Sequence, residues 1–298
     1  MAESPAAETG CMTVKKLLRW GIKQLQQAGI ESAERETTWI LSATLERSHL
    51  QLHLDGDRPV SAVRYERAEA LLRRRAAREP LQYLLGSQEF CGRAFAVTPA
   101  VLIPRPETEL LVEEGVRWMA TMPDLLIADV GTGSGCIAVS LALGLPRAKI
   151  FGIDCSSAAL HVAHKNLIRH GVADRVRLLE GDLLAPLESC SMQGRLTAIL
   201  SNPPYIPEDE LARLQPEVGL FEPRLALAGG PDGLAIHRRL VSEAVRYLAP
   251  GGILAMEVGA GEAPFCVDLV RAECGYRNVR TIRDQQGIER IVWAERHS

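Results

Sequence analysis

Residues 125–130 form an apolar strand pattern that runs directly into Gly131-Thr132-Gly133-Ser134-Gly135, and residues 136–143 follow as an apolar helix. A strand that ends on several glycines and re-enters a helix brings bare backbone close to whatever sits at the strand's carboxyl end. The alternation then repeats. Residues 149–154 read as a strand, 156–170 as a helix, 176–182 and 196–200 as strands, 233–248 as a helix, 253–258 as a strand and 262–274 as a helix. Two last strands, 276–283 and 287–295, lie close enough to pair as a hairpin. Repeated strand-helix units predict an α/β fold: a mostly parallel sheet with helices on both faces and an antiparallel terminal hairpin. Ligands of such sheets bind beyond the carboxyl ends of the strands.

Every residue singled out for chemistry falls at that edge. The turn is not a P-loop, because no Gly-Lys-Ser/Thr closes it, and Cys136 stands where a dinucleotide GxGxxG needs glycine. Asp154 ends the second strand, where a carboxylate accepts both hydroxyls of a ribose. Asp182, in Glu180-Gly181-Asp182-Leu183, ends the third and suits an adenine amino group. On these residues alone a nicotinamide cofactor stays open. After the fourth strand comes Ser201-Asn202-Pro203-Pro204-Tyr205. The prolines have no backbone N–H, so the carbonyls of Asn202 and Pro203 are left to face a ligand, joined by the Asn202 side-chain oxygen and the flat face of Tyr205. That wall accepts hydrogen bonds and suits a planar group carrying –NH2: an adenine, a cytosine or a carboxamide.

The chain of 298 residues is long enough for two domains, and 47% hydrophobic with 24% charged residues is the balance of a globular protein with a sizeable core. A net charge of -3 argues against stable binding to nucleic acid, which needs a basic face. The seven cysteines are scattered without a CxxC pair, which points to a reducing compartment and no structural zinc. Residues 1–10 are small and acidic, a frayed tail rather than a targeting signal, and no stretch has the apolar length of a membrane span; a cytoplasmic location is expected.

Residues 13–79 read as helical throughout, with Thr13, Ser32 and Ser48 as caps, and the fourth helix, 59–79, stopping at Pro80. Residues 1–85 are therefore expected to be a helical bundle that recognises a substrate protein. Arg73, Arg74, Arg75 and Arg78, with Arg64 and Arg67 on earlier turns, read as a solvated face diluted by Glu66 and Glu69, the sharper reading being contact with an acidic partner or RNA. From residue 81 the period turns strand-like, and residues 86–105 form a linker whose hairpin turns at Cys91-Gly92. Pro106 starts a helix and opens the second domain, 106–298, with Glu107 and Glu109 complementing the helix's positive end. His161, His164 and His170 have no carboxylate or cysteine to complete a metal set.

The glycine-rich turn with Asp154 resembles the class I S-adenosylmethionine-dependent methyltransferases, and Asn202-Pro203-Pro204-Tyr205 strengthens that likeness. Within that class, Glu79-Pro-Leu-Gln-Tyr-Leu-Leu-Gly86, Leu102-Ile-Pro-Arg-Pro-Glu-Thr-Glu109, Phe221-Glu-Pro-Arg-Leu-Ala-Leu227 and Gly230-Pro-Asp-Gly-Leu234 resemble the HemK/PrmC family of glutamine methyltransferases over about residues 13–295. The resemblance implies S-adenosyl-L-methionine as cofactor, S-adenosyl-L-homocysteine as product, and methylation of the glutamine in the Gly-Gly-Gln motif of class 1 peptide chain release factors. It implies that Gly131, Thr132, Gly133, Ser134 and Gly135 hold the amino acid end of the cofactor, Asp154 the ribose, and Asp182 and Leu183 the adenine, with Asn202 beside the methyl group. Leu183 departs from relatives that carry an aromatic there.

A carboxamide nitrogen is a poor nucleophile. If Asn202 and the Pro203 carbonyl accept its two N–H bonds, they aim it at the methyl group, and Tyr205 covers its flat face. No general base is assigned, because an amide nitrogen that turns acidic on methylation can lose its proton to water; Glu257, at the end of its strand, is a candidate base, with packing or a hydrogen bond to a loop the expected role. The rivals are a methyltransferase for a ribosomal-protein glutamine, one for an exocyclic amine of DNA or RNA, a nicotinamide oxidoreductase and a non-catalytic binding module.

Overall fold

The computed structural model describes residues 12–297. The expected frayed tail, residues 1–10, lies outside the described residues. The chain divides into two compact units, the first running to Gly86 and including Pro216–Phe221, the second made of Ser87–Gln215 and Glu222–Ser298.

The first unit is helical: α1 (Val14–Gln27), α2 (Ala33–Leu45), α3 (His49–Leu54), α4 (Ala62–Ala76) and α5 (Leu81–Leu85), joined by α9 (Pro216–Phe221) from far along the chain. Thr13 caps α1 by accepting from the Lys16 N–H, and Ser48 closes a capping box on α3 with Gln51. Ser32 precedes α2 but its hydroxyl donates to Glu36 instead of capping. Leu17, Leu25, Ile40, Leu41 and Leu72 are wholly buried in the shared core. The fourth helix is shorter than the sequence suggested. It ends at Ala76, Arg78 turns to a positive φ of 72°, and residues 81–85 form a helical turn rather than a strand. Pro80 sets the chain's entry to that turn and Gly86, at φ 70°, ends it.

The arginine cluster is a solvated face only in part: Arg67, Arg73 and Arg74 are exposed, whereas Arg75 is buried and Arg78 half-buried. Arg73 pairs with Glu69, Arg74 with Glu79, Arg64 with Glu46, and Arg78 with Glu217 at 2.8 Å. Arg75 is buried and reaches Glu36 at 2.5 Å, Glu217 at 3.0 Å and the Glu79 carbonyl at 3.3 Å. A guanidinium presents five donors in a fixed fork, and two carboxylates with a carbonyl use most of it.

The second unit opens with the antiparallel hairpin β1 (Ser87–Phe90) and β2 (Arg93–Ala96). Cys91 and Gly92 both take positive φ, 48° and 68°, the turn that matches the twist of its strands. Phe90 and Phe95 are fully buried in the unit's core. Then come α6 (Pro106–Met119), β3 (Leu126–Val130), α7 (Cys136–Gly144), β4 (Lys149–Asp154), α8 (Ser157–Arg169), β5 (Val176–Glu180), β6 (Leu196–Ser201), α10 (Ala235–Tyr247), β7 (Leu248–Glu257), α11 (Ala263–Ala272), β8 (Tyr276–Arg283) and β9 (Glu289–Arg296). The sheet order is β5-β4-β3-β6-β7-β9-β8. The first five strands are parallel, and β9 runs antiparallel to both β7 and β8.

The two-residue period of the strands builds a core on each face. Ile127, Ile150, Ala198, Leu200, Ile253 and Trp293 pack with α6 and α7, while Ala128, Ile153, Ile199, Leu254, Met256 and Val292 pack with α10 and α11. A doubly covered sheet with an antiparallel last hairpin is the class I methyltransferase fold that the sequence pointed to. The strand order reverses at β3, between β4 and β6, so a crevice opens above the carboxyl ends of β3, β4 and β6.

Candidate active site

That crevice is a cavity of about 310 Å³, with Gly131, Gly133, Asp154, Asp182, Leu183 and Asn202 in its wall. The glycine-rich turn is held from below. The N–H groups of Gly131 and Thr132 both donate to the Ile153 carbonyl, at 2.8 and 2.9 Å, tying the turn to the end of β4. Gly131, Gly133 and Gly135 take φ of 73°, 53° and 78°, a region that side chains resist. Asn166 on α8 accepts from the Ala96 N–H and donates to the Ala96 and Ser134 carbonyls, so one side chain ties β2 to the turn. Below the turn, Asp129 is fully buried, accepting from the Thr132 hydroxyl at 2.6 Å and the Ala138 N–H at 3.0 Å, and burial pushes its carboxyl up to about 7.

Asp154 is pre-set. Its Oδ2 accepts from the Gly133 N–H and its Oδ1 from the Ser156 N–H, each at 2.9 Å. A carboxylate has room for about four hydrogen bonds, so each oxygen can take one more. Asp182 differs: β5 stops at Glu180, two residues short of the expected end, and Asp182 sits on the following turn, largely exposed and ion-paired with Arg239 at 2.6 Å. The turn needs Gly181, because a Cβ there would stand 2.4 Å from Pro186 Cγ. Leu183 follows at φ 47°.

At the other end, Ser201 closes β6 and donates its hydroxyl to the Val130 carbonyl at 2.7 Å. Asn202, Pro203 and Pro204 line the cavity; Tyr205 is half-buried beside it and is not part of the wall. Burial, and then the charge of Glu257, push the Tyr205 phenol above its ordinary range. The Asn202 side chain is half committed: Nδ2 donates to Thr108 Oγ1 at 3.0 Å, while Oδ1 is buried with no partner. Thr108 in turn donates to Glu257 Oε2 at 2.6 Å. Sequence reasoning quoted Thr108 only inside a motif and gave Asn166 no role; their partners lie 94 and 70 residues away, beyond any periodicity.

The segment before α6 is fastened by buried Glu222, which accepts from Arg105 at 2.6 Å and from the Ile103 N–H at 3.3 Å. Among the described residues no group of three His, Cys, Asp or Glu side chains could hold a metal ion, and His161 and His164 are exposed on α8. Among the described residues, no helix is long and apolar enough to cross a membrane.

Two family models match the chain. The PrmC N-terminal domain matches residues 16–86 and the methyltransferase small domain residues 108–214. The release factor glutamine methyltransferase of Geobacter sulfurreducens is 45% identical over 280 residues, covering 94% of this chain and 95% of that protein. The chain belongs to the release factor glutamine methyltransferase family. The relatives of that name from Moorella thermoacetica and Gloeobacter violaceus are 44% and 43% identical, over 96% and 92% of this chain and 99% and 94% of theirs. For a release factor glutamine methyltransferase the methyl donor is S-adenosylmethionine, and the wall fits it. Glycines without Cβ atoms, a carboxylate with spare acceptor capacity and a second carboxylate are the donors and acceptors that a nucleoside with an amino acid tail requires.

Proposed function

We propose that this chain transfers a methyl group from S-adenosylmethionine to the side-chain amide nitrogen of the glutamine in the Gly-Gly-Gln motif of class 1 peptide chain release factors, in the cytoplasm. The observation that carries the reading is the buried, unpartnered Oδ1 of Asn202, a residue that lines the cavity. A buried acceptor without a donor costs about 1–3 kcal/mol, and an incoming carboxamide N–H removes that cost. The Pro203 carbonyl takes the second N–H, Pro204 shapes the wall, and Tyr205 shields the amide plane.

With both N–H groups held, the nitrogen points its remaining face at the cofactor, and positioning supplies most of the rate. The acceptors also favour the positive charge that grows on nitrogen during transfer, and the methylated nitrogen, made acidic by that charge, gives its extra proton to water as the thioether product leaves. The cofactor supplies an electrophilic methyl on a sulfonium. Gly131 to Gly135 hold its amino acid end, Asp154 its ribose, and Asp182 with Leu183 its adenine, for which Arg239 gives up its pairing with Asp182. The helical unit, residues 1–85 of the chain, grips the release factor away from its glutamine. The internal pairing of the arginine cluster favours a protein partner over stable nucleic-acid binding.

The test is transfer of labelled methyl to a purified release factor, beside the same factor with its Gly-Gly-Gln glutamine replaced and beside duplex DNA. Label on the intact factor alone is expected. Label on DNA, or on the glutamine-replaced factor, overturns the assignment.

A further inference from the structure

The half-committed state of Asn202 has a cause in two residues to which the transfer chemistry assigns no part. Thr108 stands on the first turn of α6, three residues past Arg105, and Glu257 ends β7, next to β6 in the sheet. Both are buried, and with Asn202 they form one line of hydrogen bonds: Nδ2 to Thr108 Oγ1 at 3.0 Å, and the Thr108 hydroxyl to Glu257 Oε2 at 2.6 Å. We propose that Thr108 and Glu257 are positioning residues: the Glu257 carboxylate, acting through the Thr108 hydroxyl, determines which way round the Asn202 carboxamide lies. The proposal rests on the reading that Asn202 receives the substrate amide.

The direction follows from what each group can do. An ionised carboxylate only accepts, so the single hydroxyl proton of Thr108 is drawn to Glu257 and the oxygen turns its lone pairs to Asn202. Only the –NH2 end of the carboxamide satisfies a lone pair, which leaves Oδ1 at the other end, unbonded and able to accept. A protonated Glu257 can donate to Thr108, free that hydroxyl to donate in turn, and hold Asn202 by Oδ1. The –NH2 would then meet the substrate N–H that Oδ1 otherwise accepts, donor against donor.

The proton state of Glu257 thus sets the site's polarity, and its surroundings poise it. Burial pushes its carboxyl up to about 7, opposed by the Thr108 hydrogen bond; Glu107 raises it further, while Arg290 from β9 and Arg105 lower it. The Tyr205 phenol feels its charge, and His237 Nε2 donates to its backbone carbonyl at 2.9 Å, kept neutral by burial.

Two readouts on the full-length protein test the proposal. The first needs no release factor: the Asn202 side-chain –NH2 resonances, assigned by their loss in Asn202→Ala, are followed from acid to alkaline pH. They are expected to move with a midpoint near the Glu257 value of about 7 and to stop moving in Glu257→Gln. Thr108→Val shifts them to those of an unbonded carboxamide, and Thr108→Ser restores them. The second is kcat against KM in methyl transfer. Thr108→Val lowers kcat about 10- to 100-fold with KM for the release factor little changed, Thr108→Ser recovers it, and Glu257→Gln removes the acid limb of the pH profile of kcat. Resonances indifferent to Thr108→Val and to pH overturn the relay. A wild-type protein that labels no release factor while its resonances behave as described overturns the functional reading and leaves the relay standing.

Discussion

Two buried polar groups, one in each unit, are treated differently. In the helical unit Arg75 is buried, and two carboxylates and a carbonyl close around it. In the α/β unit Asn202 has one end of its carboxamide bonded and the other end buried and bare. Both arrangements pay a desolvation cost. A closed network such as that of Arg75 returns the cost as specificity of packing, whereas an open one returns it only when a ligand arrives. Under the proposed function, the difference separates a residue that holds a fold from one that receives a substrate.

The largest expected effect breaks the closed side. Arg75→Ala leaves buried Glu36 with only the Ser32 hydroxyl and Glu217 with only Arg78, and removing one partner of a buried ion pair costs about 3–5 kcal/mol, so denaturant melts should show that loss. Arg75→Met, which keeps the volume, still leaves Glu36 without a cation and is expected to be almost as damaging.

The open side predicts the converse. Asn202→Ala removes an acceptor that the folded protein leaves unused, so the melting temperature should hold while kcat/KM for the release factor falls about 10²- to 10³-fold, the size of losing one pre-set polar group at a transition state. A large fall in melting temperature with activity retained would invert the contrast between the units.

Asp154 lies between these extremes, with two backbone N–H groups already bound and capacity to spare. Asp154→Ala should weaken S-adenosylmethionine binding by about 1–3 kcal/mol, read by titration calorimetry, with a modest loss of stability from the freed Gly133 and Ser156 N–H groups. Asp182→Ala should weaken it less, since its carboxylate is exposed and must first leave Arg239.

The smallest effect concerns the helical unit's grip. Leu50 and Leu54 stand one turn apart on α3 and are 67% and 76% exposed. Replacing both with serine should raise KM for the whole release factor by about 10-fold, on the order of a methylene or two of apolar contact, and leave kcat and melting temperature unchanged. An unchanged KM would remove α3 from the grip.

Much of this was legible in the chain. The strand-helix alternation, the glycine turn and Asn202-Pro203-Pro204-Tyr205 are local patterns, and local sterics decide them: glycine where φ is positive, proline where no N–H is wanted, apolar residues at period two on strands. The boundaries that differed have equally local causes that propensity alone does not weigh. Pro80 and Gly86 bracket a turn of helix where a strand pattern began, and Gly181 must leave β5 early to pass Pro186.

The chemistry-bearing residue types and their place at the sheet's carboxyl edge are therefore properties of the sequence by itself. The state of each is not. Arg75 looked solvated until Glu217 arrived from 142 residues away, and Asn202 looked like one more acceptor until Thr108 took its –NH2 from 94 residues away and Glu257, 149 from Thr108, took the hydroxyl proton. Whether a polar side chain is spent or open depends on partners that only packing brings within hydrogen-bond reach, because the bond's energy falls away over about an ångström while separation along the chain says nothing of separation in space.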